Sequence, residues 1–234
     1  MRIWTLGVPF VLLATLVRAD TAKERLSDSA AVFREILGTP DKGIPQDLLA
    51  KAQCVAIIPV VKKAAFVVGG EFGRGFVECR EAGHGGWGAP AAVRLEGGSF
   101  GLQIGGSSTD LVMLVMNETG MKRLIEDKFT LGADASVAAC PVGRTAAAGT
   151  DAEMSAEIFA WSRARGLFAG ISLKGATLRN DLDQNAELYG RKMSNREVLT
   201  GHTEPPPAAK ALISELNKYS MRKESDADRA RDKK

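Results

Sequence analysis

The chain has 234 residues, of which 45% are hydrophobic and 25% charged, and a formal net charge of +3. That composition is ordinary for one globular domain with a real core. It is too nearly neutral for a protein that holds nucleic acid by bulk charge, so no nucleic-acid partner is expected and an anionic partner has to be met by a local patch. Twenty-five glycines beside 6% aromatics favour a β-rich fold with many turns.

Arg2 supplies a short positive segment ahead of the apolar run Ile3–Val17, and Val17-Arg18-Ala19 places compact residues where a signal peptidase reads. The run is shorter than the roughly 20 residues of a spanning helix. A cleaved leader over 1–19 is therefore expected, with a periplasmic or secreted product, peripheral to a membrane if membrane-bound at all. No Cys follows the run, so a lipid-anchored N-terminus is not expected. The 31 basic residues fall to 29 when Arg2 and Arg18 leave with the leader, against 28 acidic ones.

Thr21–Leu37 reads as an amphipathic helix with Leu26, Ala30, Phe33 and Leu37 on one side, stopped by Gly38 and Pro40. A short helix is expected within Asp41–Gln53, with Pro45 in its first turn. Strand-like runs follow at Cys54–Val61, Ala64–Val68 and Glu71–Arg80, with Lys62-Lys63 placed in a turn. After the glycine-rich loop Glu81–Pro90 come Ala91–Leu95, Ser99–Ile104 and Leu111–Met116, a meander-like series. Asn117 is a good N-cap for a helix to about Asp127. Leu131–Gly149 is too poor in large side chains for an ordinary core strand, and strand character returns at Leu167–Leu173. Pro205-Pro206-Pro207 makes a stiff break before an amphipathic helix over Ala208–Tyr219. The expected organisation is a main domain over 20–203, the Pro-rich break and helix over 204–220, and a charged, disordered tail over 221–234.

Cys54, Cys79 and Cys140 are an odd count, which leaves at least one free thiol in an exported protein. Cys54 opens an apolar run and reads as a buried thiol. A Cys79–Cys140 bridge stays open, because spacing alone does not give the geometry. Nothing here has zinc-ligand spacing, and no metal or cofactor is expected. His84 and His202 lack a context that activates them, and there is no nucleophile elbow. NDLDQN at Asn180–Asn185 lacks the glycine and terminal Glu of a calcium loop and reads as a turn or helix cap. No catalytic residue is assigned, and the chain is not expected to be an enzyme.

The glycines carry more information. GGEFGRGFVECR at Gly69–Arg80 is echoed at Gly97–Gly106 and Gly166–Gly175. Glycine within a strand serves a bulge, a bend or a close backbone approach. Three such runs predict an α+β fold, with a strongly curved antiparallel sheet or partly closed β-barrel and helices packed around it. Lys62, Lys63, Arg74 and Arg80 fall at strand ends or turns, and Arg163, Arg165 and Lys174 flank Gly166–Leu173. If these ends converge they form a patch for lipid head groups; otherwise they are solvated charges that blunt strand edges.

The segments CVAIIPVVKKAAFVVGGEFGRGFVECR, GGWGAPAAVRLEGGSFGLQIGGSSTDLVMLVMN, KFTLGADASVAACPVGR and AEIFAWSRARGLFAGISLKGATLRND, followed by LYG, resemble the SYLF lipid-binding domain family from about Asp47 to Gly201. The resemblance implies a non-enzymatic domain that associates peripherally with anionic phospholipid membranes, using head-group contacts from the candidate basic patch. The leader-like N-terminus looks like the family's bacterial exported branch. On that architecture actin is not expected as a partner, and an envelope protein is the alternative ligand. Cys140 before Pro-Val-Gly-Arg and Trp161 in the AEI segment depart from the family pattern.

Overall fold

The computed structural model describes residues 20–39, 43–81, 86–139, 156–164, 167–168, 173 and 175–220. The expected leader and charged tail, together with His84, Cys140, Arg165 and Lys174, lie outside them.

Helix α1 spans Ala22–Leu37. Thr21 Oγ1 accepts from Glu24 N at 3.2 Å and Glu24 accepts from Thr21 N at 2.9 Å, a capping box worth about 1 kcal/mol. Its stripe of Leu26, Ala30, Phe33 and Ile36 is buried against the sheet and the last helix, at roughly 1.5–3 kcal/mol for each large side chain. The short α2 (Gln46–Lys51) follows.

Two long strands dominate. β1 runs over Cys54–Cys79 and β2 over Ala91–Val115, paired antiparallel along nearly their whole length. The separate short strands and the turn at Lys62-Lys63 expected from the sequence are instead one continuous ribbon, with register shifts between Ile58 and Val61 and between Phe66 and Val68. Fully extended, 26 residues would span roughly 80 Å. Yet the Cα atoms of Cys54 and Cys79 are 4.0 Å apart, and Arg80 N donates to Gln53 O at 2.9 Å. β1 therefore doubles back until its two ends lie side by side. Glycine makes this feasible: a Cβ at Gly75 would sit 2.0 Å from the Ile57 carbonyl oxygen, and one at Gly73 would sit 2.7 Å from Ile58 Cγ2. The close approach expected of the Gly69–Arg80 run is present.

Helix α3 (Glu118–Leu124) is capped by Asn117, whose side chain accepts from Gly120 N at 2.8 Å. β3 (Lys128–Thr130), β4 (Val137–Ala139), β5 (Ile158–Ala164), β6 (Leu167–Phe168) and β7 (Thr177–Asn180) complete the sheet. Among the described residues its order is β3-β7-β2-β5-β4, with β1 on β2 and β6 on β5. All pairs are antiparallel except β4 with β5, so the sheet is mixed, and the small-residue segment does supply a strand. α4 (Leu182–Tyr189) follows the Asp181 cap, as NDLDQN suggested, then α5 (Asn195–Thr200), a 3-10 turn at Pro207–Ala209 and α6 (Lys210–Ser220). The fold is α+β with a strongly curved sheet. One face encloses a core made chiefly of strand residues, including Ala56, Ile58, Leu95, Met113 and Phe129. The other carries α1 and α6. No helix among the described residues is long and apolar enough to cross a membrane.

The cysteines depart from expectation. Cys54 is buried but not free: it is bonded to Cys79, closing a separation of 25 residues. The doubling back of β1 creates this pairing, which linear spacing does not reveal. Closing such a loop restrains the unfolded chain by about 3 kcal/mol, so Cys54→Ala with Cys79→Ala is expected to lower stability by about that much in urea unfolding.

Glu78, 1% exposed on the helix-bearing face of β1, has no hydrogen-bond partner on either carboxylate oxygen among the described residues. Burial pushes its carboxyl well above the ordinary 4.5. Burial, and then Glu78 itself, also raises the Tyr189 hydroxyl. The Glu78 contribution to stability is complete below the ordinary carboxyl value and is lost as pH rises from there through the raised folded value. Urea unfolding at stepped pH from acid to mildly alkaline is expected to show this loss in the wild type, relative to a flatter Glu78→Gln profile.

Candidate functional site

Among the described members of the expected basic patch, Arg74, Arg80 and Arg163 are bound by groups arriving from distant elements, and Lys63 by a carboxylate of its own strand. Lys62 is exposed and carries no ion pair among the described residues. Lys63 Nζ lies 3.6 Å from Glu71 Oε2. Arg74 Nε lies 3.0 Å from Oδ2 of the buried Asp181. Arg80 points inward, donating from Nε to Ala52 O at 2.9 Å and from Nη2 to Leu49 O at 3.2 Å and Ser220 O at 2.7 Å, and it lies over the Trp87 ring. It clamps α2 and the end of α6 to the sheet. Arg163 Nη2 donates to Asp110 Oδ2 at 2.8 Å and pairs with Glu35 of α1. Burial alone would lower the Arg163 pKa, but the hydrogen bonds to Asp110 and Glu35 outweigh it and raise it. Arg165 and Lys174 lie outside the described residues. Arg80 and Arg163, placed in the candidate head-group patch from the sequence, are engaged by the fold's own carbonyl and carboxylate groups.

Asp110 has a second task. Its Oδ1 accepts from Val60 N at 3.3 Å, and Val60 has φ 64° at the first register shift of the ribbon. That left-handed backbone is strained for a β-branched residue. Glu35, Arg163 and Asp110 thus tie helix α1 and strand β5 to the bulge.

The apolar faces of the two amphipathic helices are also taken. The apolar stripe of α1 and Leu212 and Leu216 of α6 lie in the core beneath the helix layer. Both helices pack on the body of the domain.

What the sequence did not disclose is a row of cations across four strands. Register places Arg74 opposite Arg94, Arg94 opposite Arg179, and Arg179 opposite Lys128. Alternation along the strands puts all four on the helix-bearing face, since neighbours Phe76 and Ala92 belong to the helix-side core while Leu178 and Phe129 belong to the strand core. Like charges directly opposite destabilise a sheet. Two carboxylates relieve the row. Glu96 bridges two arginines, with Oε1 2.9 Å from Arg94 Nε and Oε2 3.2 Å from Arg179 Nε, and Asp181 holds Arg74. These contacts are close but poorly aligned for hydrogen bonding. Arg25 of α1 is buried nearby; burial, and then Arg74, lowers its pKa. Phe72, two residues before Arg74, is 46% exposed, and Leu182, next after Asp181, is 41% exposed. The Arg74 guanidinium lies 5.8 Å from the Phe72 ring centroid. An aromatic side chain therefore borders the cations, and an exposed aliphatic one follows the carboxylate that holds Arg74. Only Arg74 was among the sequence candidates, because isolated arginines in different strands carry no linear signal until register aligns them.

A doubled-back ribbon, a strongly curved mixed sheet and helices on one face define an α+β domain of the curved-sheet, surface-presenting kind. The chain belongs to the Ysc84 family, described as "Las17-binding protein actin regulator", which it matches over residues 96–219; this is the family that the sequence resemblance named as SYLF. It is 35% identical over 179 residues to LAS seventeen-binding protein 3 of Saccharomyces cerevisiae, covering 75% of this chain and 39% of that protein. It is 32% identical over 218 residues to SH3 domain-containing YSC84-like protein 1 of Mus musculus, covering 91% of this chain and 64% of that one. The chain thus spans well under half of the yeast relative and less than two thirds of the mouse one. These findings correct the expectation that actin is not a partner: the family is described as one of actin regulators, and that expectation rested on the leader-like N-terminus rather than on any property of the fold.

Because Arg163 is largely buried between two carboxylates, Arg163→Ala is expected to cost about 2 kcal/mol in denaturant unfolding. Lys62→Ala, which removes no pairing, is expected to cost less than about 0.5 kcal/mol.

Proposed function

We propose that this domain is a non-enzymatic module that associates peripherally with anionic phospholipid membranes, and that the observation carrying this function is the Arg74–Arg94–Arg179–Lys128 row bordered by exposed Phe72, with exposed Leu182 next after Asp181. Each basic residue near an anionic leaflet contributes on the order of 1 kcal/mol, and burying the rest of Phe72 and Leu182 in the interface adds roughly 1 kcal/mol apiece. The total falls short of the roughly 8 kcal/mol of a micromolar complex. The association is therefore weak, reversible and sensitive to salt, as expected of exposed charges. Export of the chain is part of the same proposal. It is supported by the apolar N-terminal run and by the Cys54–Cys79 bond, since structural disulfides persist mainly in oxidising compartments.

A protein ligand is the second function, favoured by the family description and by the Las17-binding name of the yeast relative. An acidic segment of an actin-regulating partner would meet the same cations.

Co-sedimentation with vesicles of phosphatidylcholine alone, or mixed with phosphatidylglycerol, decides between them. Binding is expected only to the mixed vesicles at low salt, with release at high salt. Arg94→Gln with Arg179→Gln is expected to weaken it about tenfold or more, and Phe72→Ser to weaken it less. Absence of binding to mixed vesicles at low salt, or equal binding to both, would overturn the membrane function and leave the protein ligand.

A further inference from the structure

Glu96 stands apart from the other carboxylates of the domain. It lies on β2 opposite Phe72 and Thr177, two residues from Arg94 on the same face. Its two oxygens are divided between two guanidinium groups on neighbouring strands. Asp181, the other carboxylate of the row, is 1% exposed and also accepts from Gln184 N as the α4 cap, so it is committed to the fold. Glu96 caps no helix. Its side chain is 39% exposed, as is that of Arg179, and that of Arg94 is 36% exposed.

We infer that Glu96 is a resident counter-anion: it occupies the place between Arg94 and Arg179 that an external phosphate group takes, and so sets the affinity of the row for phosphate-bearing ligands. This rests on the assignment of the row to anionic ligands and adds the residue that regulates it. The physical basis is competition. With no ligand, Glu96 relieves the repulsion of directly opposed arginines. A phosphate oxygen approaching the same guanidinium groups must displace the carboxylate, which can swing into water because its side chain is exposed. Arginine favours both partners by the same planar donor geometry, so the carboxylate is an intramolecular mimic of the ligand. Removing its charge leaves two guanidinium groups facing each other without a counter-ion, which lowers stability slightly and raises affinity for an added anion.

The test uses the full chain and inorganic pyrophosphate, with no membrane present. Titration calorimetry at low salt is expected to show about three- to tenfold tighter binding for Glu96→Gln than for wild type, the scale of one exposed charge interaction. Glu118→Gln makes the same charge change on α3, where Glu118 pairs with Lys122, and is expected to leave the affinity unchanged. Thermal unfolding supplies an independent reading: Glu96→Gln melts below wild type without anion, and pyrophosphate raises its midpoint more. Equal or weaker binding by Glu96→Gln, no measurable binding by that variant, or an equal gain in Glu118→Gln overturns the inference. If wild type binds anionic vesicles while Glu96→Gln gains nothing toward pyrophosphate, the counter-anion role fails and the membrane function stands. If Glu96→Gln gains affinity for pyrophosphate but no form binds vesicles, the membrane function fails and the counter-anion role stands.

Discussion

Everything in this domain depends on the doubling back of β1. A strand of 26 residues whose ends lie 4.0 Å apart has to bring backbone against backbone. It does so where Gly73 and Gly75 pass Ile57 and Ile58 without a Cβ between them. The Cys54–Cys79 bond ties the returning end, and Arg80 N closes the pairing onto Gln53 O. β2 is paired to β1 along its length and follows the same path. Curvature is thus imposed by one ribbon, and the shorter strands add to its edges.

That curvature creates two unlike faces. One closes over a core supplied mainly by strands, and the other receives the apolar stripes of α1 and α6. Burying those stripes commits the apolar face of each helix to the core. The same packing consumes two of the basic residues that looked available. Arg80 satisfies carbonyl groups at the ends of α2 and α6, and Arg163 joins α1 to the strained bulge at Val60 through Glu35 and Asp110. A buried arginine is tolerated only with such partners, so these side chains belong to the fold's own electrostatics.

The outward charge lies elsewhere, and it is a product of register. Arg74, Arg94, Arg179 and Lys128 are far apart in the chain and become neighbours because four strands align them. Opposed cations weaken a sheet unless counter-charges are supplied, which Glu96 and Asp181 do here. A surface that holds like charges together, with an exposed ring beside them, has a stability cost that an anionic ligand can offset. Phosphate head groups and acidic protein segments present the same charge to such a surface.

By itself the sequence determined the features that depend on local chemistry. Asn117 was legible as a cap, and NDLDQN around Asp181 as a turn or cap, because capping uses residues a few positions apart. The α+β class and the curvature were legible from glycines inside strand-like runs, and the family from long motifs in order. The chain's linear pattern was misleading wherever distance in sequence and distance in space diverge. Lys62-Lys63 looked like a turn, although the ribbon continues through it. Cys54 looked like a free thiol, although the doubling back of β1 places Cys79 against it. Arg80 and Arg163 looked like ligands, although their partners come from segments 28 to 140 residues away. Only the tertiary structure decided which cations face outward, because strand register and the arrival of remote carboxylates are long-range properties that no local pattern encodes.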